Sequence, residues 1–471
     1  MRYSDLGHWS ARAGEWATRY YATLKDRPVR SNSVPGEFAA LIPSMPPELP
    51  EPMENIFADF ERLVPDAMTH WQHPRFLAYF PANAAPASIL AEHLANSMSC
   101  NCMLWQASPA ASELEGRMIE WLRGAVGLPS HFTGLIHDTA TTATICAVLT
   151  MRERTLRWAG NSQGLQGQNT IRIYASGENH SSIDKAVRIA GIGDRNLLKI
   201  PTNENLAMNP DKLRIAIGRD IDAGLQPAGV VICVGGTANG ACDNVAEIIK
   251  VAKSFDLYCH VDAAWAGSAM ICPEFRNIWK GVEGADSLVM NPHKWIGAQL
   301  DCSIQFLSDP GPQRKTLGLR PEYLETDTEF EVVDYSEMTI PLGRRFRALK
   351  LWFVLRAYGL EGLRTMMRNH VAWVRKVERM FRDDPEFEVI SSSPLALFAF
   401  RFNPGNGDPD ELTRRLCNLI NDDGRIFLTR ASCRGSTVIR VAAGTFECTE
   451  DDVMQAYLVT KELSATLGAA G

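Results

Sequence analysis

The sequence has no long hydrophobic run. No window approaches the roughly 18 unbroken apolar residues of a membrane span, which argues against a membrane-embedded protein. It has no basic excess either. Lys and Arg number 48 against 55 Asp and Glu, a formal net charge of −7, so nothing electrostatic favours nucleic acid or an anionic membrane as partner. Cysteine pairing is absent: the count of 11 is odd, and Cys100 and Cys102 are followed by no second pair and no histidine pair at zinc-site spacing. No metal is expected. Cys146, Cys233, Cys259 and Cys302 lie in apolar runs, where a thiol packs as a small hydrophobe and stays reduced. The first twenty residues carry Arg2, Asp5, Arg12, Glu15 and Arg19 and lack the apolar core of a signal peptide, so a cytoplasmic address is expected. The dinucleotide fingerprint G-x-G-x-x-G is incomplete, because Gly191-Ile-Gly193 continues into Asp-Arg-Asn. There is no internal repeat.

What is present is a chain of 471 residues, too long for one ordinary core. Leu6, Trp9, Ala13, Trp16 and Tyr20 recur at helical spacing and predict an amphipathic N-terminal helix, covered by the chain's own body or by a second copy. Five prolines between Pro43 and Pro52 make a stiff connector. From about residue 85 helices alternate with short apolar strands. Strands are expected at Ile171–Ala175, Val230–Val234, Leu257–Val261 and Ser287–Met290, and helices at Ser112–Val126, Ser181–Ala190 and Asn244–Phe255. The alternation predicts an α/β domain with a mostly parallel sheet. Gly160–Asn169 reads as a flexible loop, and a long helix is expected over Gly343–Tyr358. Beyond it, strands at Leu397–Phe400 and Thr437–Val441 fit a small α+β domain. The expected division is 1–84, a helical dimerisation segment; 85–350, the large α/β domain; and 351–471, the small domain.

Open parallel sheets bind ligands beyond the carboxyl ends of their strands. The residues there are Ser176–His180, Gly235–Asn239, Asp262–Ala264 and Asn291–Lys294. They offer an acid, an imidazole, a primary amine and small or hydroxylated residues, the inventory that a phosphorylated pyridine aldehyde needs. Asp262 ends an apolar strand, where a carboxylate is costly unless a cation meets it. A protonated pyridine nitrogen would do so; capping the next helix is the alternative. Lys294, between His293 and Trp295, stands where desolvation favours a nucleophilic amine, and a surface lysine is its alternative. Thr139, Ala140 and Thr141 enter a helix with the composition of a phosphate site, or of a simple N-cap. His180 could stack on a ring or serve as a capping residue.

These signals occur in the order found in the aromatic-L-amino-acid decarboxylases, the group II pyridoxal-phosphate decarboxylases, which the chain resembles almost end to end. The resemblance is carried by His73-Pro-Arg-Phe-Leu-Ala-Tyr-Phe-Pro81, Trp105-Gln-Ala-Ser-Pro-Ala110, His180-Ser-Ser, His260-Val-Asp-Ala-Ala-Trp-Ala-Gly-Ser-Ala269, Asn291-Pro-His-Lys-Trp295 and Ile340-Pro-Leu-Gly-Arg-Arg-Phe-Arg347. It implies the aspartate-aminotransferase-like fold (type I), pyridoxal 5'-phosphate as cofactor, and a homodimer with the active site at the subunit interface and swapped N-terminal helices. Residue by residue, Lys294 matches the Schiff-base lysine, Asp262 the partner of the pyridine nitrogen, and His180 the residue stacked on the ring. Ala140, Thr141 and Asn291 match phosphate contacts, with His293 close by. Thr237 matches a cofactor-binding threonine, and Ala264 belongs to the same cofactor set. Tyr323 matches a tyrosine on a mobile loop, expected over 311–335, that closes over the neighbouring active site and donates a proton.

The implied reaction is decarboxylation of an aromatic L-amino acid to its amine and CO2. Aldehyde synthases of the same family replace the loop tyrosine by Phe or the stacking histidine by Asn, and neither change is present. The expected pocket walls are Trp71, Tyr79, Phe80, Ala82, Asn101, Met103 and Gly343. Ala82 departs from the usual threonine, and Asn101 and Met103 replace larger apolar or aromatic residues. The small Gly343 goes with indolic substrates among plant members, so tryptophan or 5-hydroxytryptophan is favoured over phenylalanine, tyrosine or DOPA.

Overall fold

The computed structural model describes residues 1–319 and 332–468. These divide into two compact units: a larger one of Ala82–Ala372 with Ser391–Ala399, and a smaller one of Met1–Pro81, Trp373–Ile390 and Phe400–Gly471.

The larger unit is built on a seven-stranded sheet of β1 (Thr133–His137), β2 (Ile171–Ser176), β3 (Leu197–Ile200), β4 (Gln226–Cys233), β5 (Tyr258–Asp262), β6 (Ser287–Met290) and β7 (Ser303–Leu307). Their order across the sheet is β1-β7-β6-β5-β4-β2-β3. β5 pairs in parallel with β4 and β6, and β2 with β4 and β3. β7 is antiparallel to both β6 and β1, so β1 runs in the common direction. The carboxyl ends of β1, β6, β5, β4 and β2 therefore share one edge. β5, β6 and β7 are buried at every residue, as a sheet covered on both faces requires. Gly134 is obligatory in β1, because a Cβ there would strike the Gln305 carbonyl of β7.

Helix Ala140–Thr155 follows β1 and packs against β4, β5, β6 and β7. Its Ile145, Val148 and Met151 join Ile173, Ala175, Ile183, Val187 and Val231 in one apolar cluster. Each Ile, Val or Met among them contributes on the order of 1.5–3 kcal/mol on burial. Helix Val245–Lys253 crosses from β4 to β5, capped by the Asn244 side chain at the Glu247 amide, 3.3 Å away.

In the smaller unit, helix Leu6–Ala22 lays part of its apolar stripe on helix Met53–Leu63, with Trp16 and Phe60 ring centroids 4.8 Å apart. That second helix was not foreseen behind the proline-rich connector. The C-terminal strands β8 (Phe387–Ser392), β9 (Leu397–Phe402), β10 (Thr429–Cys433) and β11 (Ser436–Ala442) form a second sheet in the order β10-β11-β9-β8.

Two expectations are corrected. The flexible loop at Gly160–Asn169 begins inside a short helix, Ala159–Gln163. The long helix runs over Arg347–Asp383, not Gly343–Tyr358. Gly359, at φ 63° and ψ 167°, interrupts it where the sequence places its end, but a second helical stretch follows.

Candidate active site

β5 and β6 are neighbours in register, Asp262 opposite Val289, so the segments that follow them leave the sheet side by side. Two backbone bonds continue the ladder past the strand ends: the Ala263 amide donates to Val289 at 3.1 Å, and the Asn291 amide to Ala264 at 2.8 Å. Asp262 and the turn carrying Lys294 are thereby tied together within one residue pair of the sheet. Asp262 is buried, and one carboxylate oxygen accepts the Ala264 amide at 3.1 Å. Lys294 is half-buried.

The Lys294 turn is held from outside the sheet as well. Asn83, fully buried, donates its side-chain amide to the Lys294 carbonyl at 2.5 Å and its backbone amide to the His293 carbonyl at 3.0 Å. His293 Nδ1 accepts the Cys302 amide at 2.9 Å, and the Asn291 carbonyl oxygen of the side chain accepts the Ser303 hydroxyl at 2.6 Å. Burial, with help from the Lys294 ammonium, holds His293 down to about 3, so its ring is neutral and an acceptor. Sequence reasoning missed Asn83 and Ser303. Their partners are 211 and 12 residues away, and no local pattern marks either.

His180 follows β2 and is exposed toward solvent. Its Nδ1 accepts the Ser182 amide at 3.1 Å, which leaves the proton of a neutral ring on Nε2. Its pKa is lowered by desolvation, with the Asp262 carboxylate opposing and the Lys294 ammonium adding to the shift. One imidazole thus feels both charges, and the three groups lie in one electrostatic neighbourhood. Thr237 is half-buried in the turn after β4, which is closed by the Gly235 and Gly236 amides on the Ala241 carbonyl.

Thr139 caps helix Ala140–Thr155, and its own amide donates to Asp138 at 2.7 Å. The amides of Ala140 and Thr141 fall in the first turn, where no carbonyl lies four residues back, and both residues are half-buried. An amine, a strand-end carboxylate, an imidazole with its Nε2 proton, and an open helix N-terminus flanked by hydroxyls are the chemistry that a phosphorylated pyridine aldehyde requires. The donor set fits the expected cofactor.

The expected pocket residues fall into two groups. Trp71, Tyr79 and Phe80 belong to the smaller unit, where Trp71 and Tyr79 stack at 5.6 Å. Ala82, Asn101, Met103 and Gly343 belong to the larger. There Asn101 Oδ1 accepts the Arg344 amide at 2.9 Å, its Nδ2 lies 3.5 Å from the Met103 sulfur, and a Cβ on Gly343 would meet the Asn101 amide at 3.8 Å. Asn101 thus lies beside both Met103 and Gly343. Tyr323 lies outside the described residues. Of the loop expected over 311–335, residues Gly311–Leu317 are a helix, with Arg314 paired to Glu337 and Lys315 over the Trp158 ring.

The family model "pyridoxal-dependent decarboxylase conserved domain" matches residues 35–403. The chain is 36% identical to a phenylacetaldehyde synthase of Arabidopsis thaliana, covering 95% of this chain and 93% of that one. It is 37% identical to tyrosine decarboxylase 2 of Narcissus pseudonarcissus, covering 96% and 92%. Among solved structures it superposes on the Oryza sativa TDC with pyridoxal phosphate and tryptamine at a TM-score of 0.96, with 34% identity and 99% of each chain covered.

Proposed function

The chain belongs to the pyridoxal-dependent decarboxylases, with their type I fold, and is a carboxy-lyase of the aromatic amino-acid decarboxylase type whose cofactor is pyridoxal phosphate; from that premise we propose that it converts tryptophan or 5-hydroxytryptophan to the arylalkylamine and CO2. The observation that carries the reading is the junction of the two strand ends, where the Asn291 amide meets the Ala264 carbonyl at 2.8 Å and brings the segments of Asp262 and Lys294 together.

In this reading Lys294 holds the cofactor through its amine, Asp262 faces the pyridine nitrogen, and His180 covers the ring. Ala140, Thr141, Asn291 and His293 serve the phosphate, and Thr237 and Ala264 complete the cofactor's surroundings. When bound, pyridoxal phosphate supplies the electron sink that lets the carboxylate leave as CO2. The chain's own work is placement and proton management. Asp262 keeps a proton on the facing nitrogen, which a buried carboxylate favours over a neutral partner. His180, neutral and protonated at Nε2, presents a donor to the substrate carboxylate. Tyr323, carried over from the resemblance, delivers one proton to Cα in place of CO2. The standing Tyr323 and His180 favour the amine over the aldehyde that some relatives make. Exchange of Tyr323→Phe is expected to replace the amine by aldehyde, ammonia and hydrogen peroxide, with CO2 still released and one dioxygen and one water consumed per turnover.

The preference for an indole rests on Gly343, whose missing side chain leaves its nearest neighbour, the Asn101 amide, 3.8 Å from the Cβ position. The partner reading is a cytoplasmic homodimer with the active site at the subunit interface. The dimer is supported by Leu90, Leu94 and Met98, 56%, 41% and 56% exposed at four-residue spacing on helix Pro86–Met98. The deciding experiment compares CO2 release and kcat/KM for tryptophan, 5-hydroxytryptophan, phenylalanine, tyrosine and DOPA, with Lys294→Ala as control. Activity on an indolic substrate, lost in the control, is expected. A clear preference for DOPA refutes the indole reading, and release undiminished in the control refutes the site.

A further inference from the structure

Asp262 ends a strand and is rigid, but Lys294 sits on an irregular turn at the end of four rotatable bonds. Backbone bonds alone fix the turn's path and leave its tilt undetermined. Each of the two segments carries a tryptophan just beyond the functional residue: Trp265 follows Asp262 by three positions, and Trp295 follows Lys294 directly. These indoles are 1% and 0% exposed and stack with centroids 5.0 Å apart and planes 11° apart. Trp295 Nε1 donates to His370 Nδ1 at 2.9 Å, and the His370 plane is within 5° of the Trp295 plane. A hydrogen bond lying in the ring plane fixes rotation of the indole, which stacking alone does not. His370 is 1% exposed, and burial holds its pKa down to about 4, so Nδ1 stays an acceptor at working pH. It stands on the helix that begins at Arg347, and Arg364 of that helix donates to the Ile271 carbonyl at 2.8 Å, on the segment that starts with Trp265. The helix thus grips both strand-end segments.

We propose that Trp265, Trp295 and His370 are positioning residues, a three-ring element that sets the placement of the Lys294 amine against the Asp262 carboxylate. The proposal rests on the reading that these two groups hold the cofactor. None of the three rings is assigned a contact with substrate or cofactor; their effect passes through the two segments. Small misplacement of reacting groups lowers rate steeply, on the order of a hundredfold for about 1 Å.

The test uses the full-length chain as His370→Phe, which removes the acceptor, His370→Asn, which restores one near Nδ1, and Trp265→Phe, which keeps a smaller ring. In the cofactor-free protein, near-ultraviolet circular dichroism reads the coupled indoles. Titration with pyridoxal phosphate and borohydride trapping read cofactor binding, and kcat and KM are then compared. The expected result for His370→Phe is loss of the coupled-indole signal, about tenfold weaker cofactor binding and kcat lowered about tenfold or more at nearly constant KM, with most of each recovered in His370→Asn. Should His370→Phe not fold, Trp265→Phe carries the test, with a smaller loss of the same kind expected. Wild-type cofactor affinity and kcat in a folded His370→Phe or Trp265→Phe, whatever the dichroism, overturns the proposal. Lys294→Ala separates the two readings: it should keep the indole signal and lose the borohydride adduct. An adduct that persists there refutes the cofactor site itself, not the stack.

Discussion

Two corners of the same sheet edge treat charge in opposite ways. At the ends of β1 and β7, Arg344 and Glu115 pair at 2.6 Å with side chains 2% and 3% exposed. Glu115 also accepts the Ile136 amide at 2.8 Å, and Arg344 donates to the carbonyls of Ile136 and Cys102 and lies over the Tyr335 ring. Beside them His137 Nε2 meets Gln305 Oε1 at 2.8 Å, and Gln305 and Gln313 exchange two amide bonds at 2.9 Å. Gln305 Oε1 is an acceptor, so His137 is the donor, and Gln313 carries the network on to the Met338 carbonyl at 2.9 Å. At the ends of β5 and β6 the bonds are short and local: one Asp262 oxygen accepts the Ala264 amide at 3.1 Å, and at the end of β2 His180 Nδ1 accepts the Ser182 amide at 3.1 Å. The first corner is finished by folding. The second is the corner we propose for the cofactor.

Breaking the closed corner should have the largest effect on stability. Removing one member of a buried, hydrogen-bonded pair strands the other charge and costs about 3–5 kcal/mol. Glu115→Gln is therefore expected to lower the unfolding free energy by that amount while leaving kcat per folded molecule near wild type. The open corner should respond in reverse. Asp262→Asn keeps shape and buries no new charge, so its melting temperature should change little. Its kcat should fall by about 10²–10³-fold, the usual loss when one preorganised electrostatic group is removed. Equal stability losses in the two variants, measured by urea denaturation, would mean that both corners are structural and that the contrast is false.

The difference also explains what was readable in the chain. β6 was expected residue for residue, because a short apolar run between polar flanks states both its length and its two-sided burial. The residues after β5 and β6 could be singled out from the same rule, since a site at strand ends needs only the strand order to assemble. The closed corner left no such trace. Glu115 and Arg344 are 229 residues apart, and nothing local in either helix or loop announces the pairing. The antiparallel β7 escaped notice for a related reason: Ser303-Ile-Gln-Phe-Leu carries buried polar residues whose partners, His137 and Gln313, come from other elements. Tertiary satisfaction of a polar group is invisible to a periodicity argument. The second stretch of the helix after Gly359 was hidden for a simpler reason, since a glycine at positive φ reads as a helix end whether or not another helix follows.

The smallest effect concerns protons, and it sharpens the contrast one histidine at a time. Burial holds His137, His260 and His370 at about 4 and His293 at about 3, against roughly 6.5 in an unfolded chain. Each folded-state value is depressed, so each ring is neutral in the native protein while the unfolded chain takes up a proton. The stability they contribute is complete above about pH 6.5 and is lost as pH falls toward 4. His137→Gln keeps an amide donor for Gln305 and removes one titrating ring. It should reduce the slope of unfolding free energy against pH by up to one proton in that window, about 1.4 kcal/mol per pH unit at most. His180→Asn, at the exposed and only partly desolvated ring, should change the slope by a smaller amount. Urea denaturation at half-unit steps from pH 7 to 4 measures both. A His137→Gln slope equal to that of wild type would mean that the closed corner admits a proton without opening, and the distinction between the corners would then have to rest on the ion pair alone.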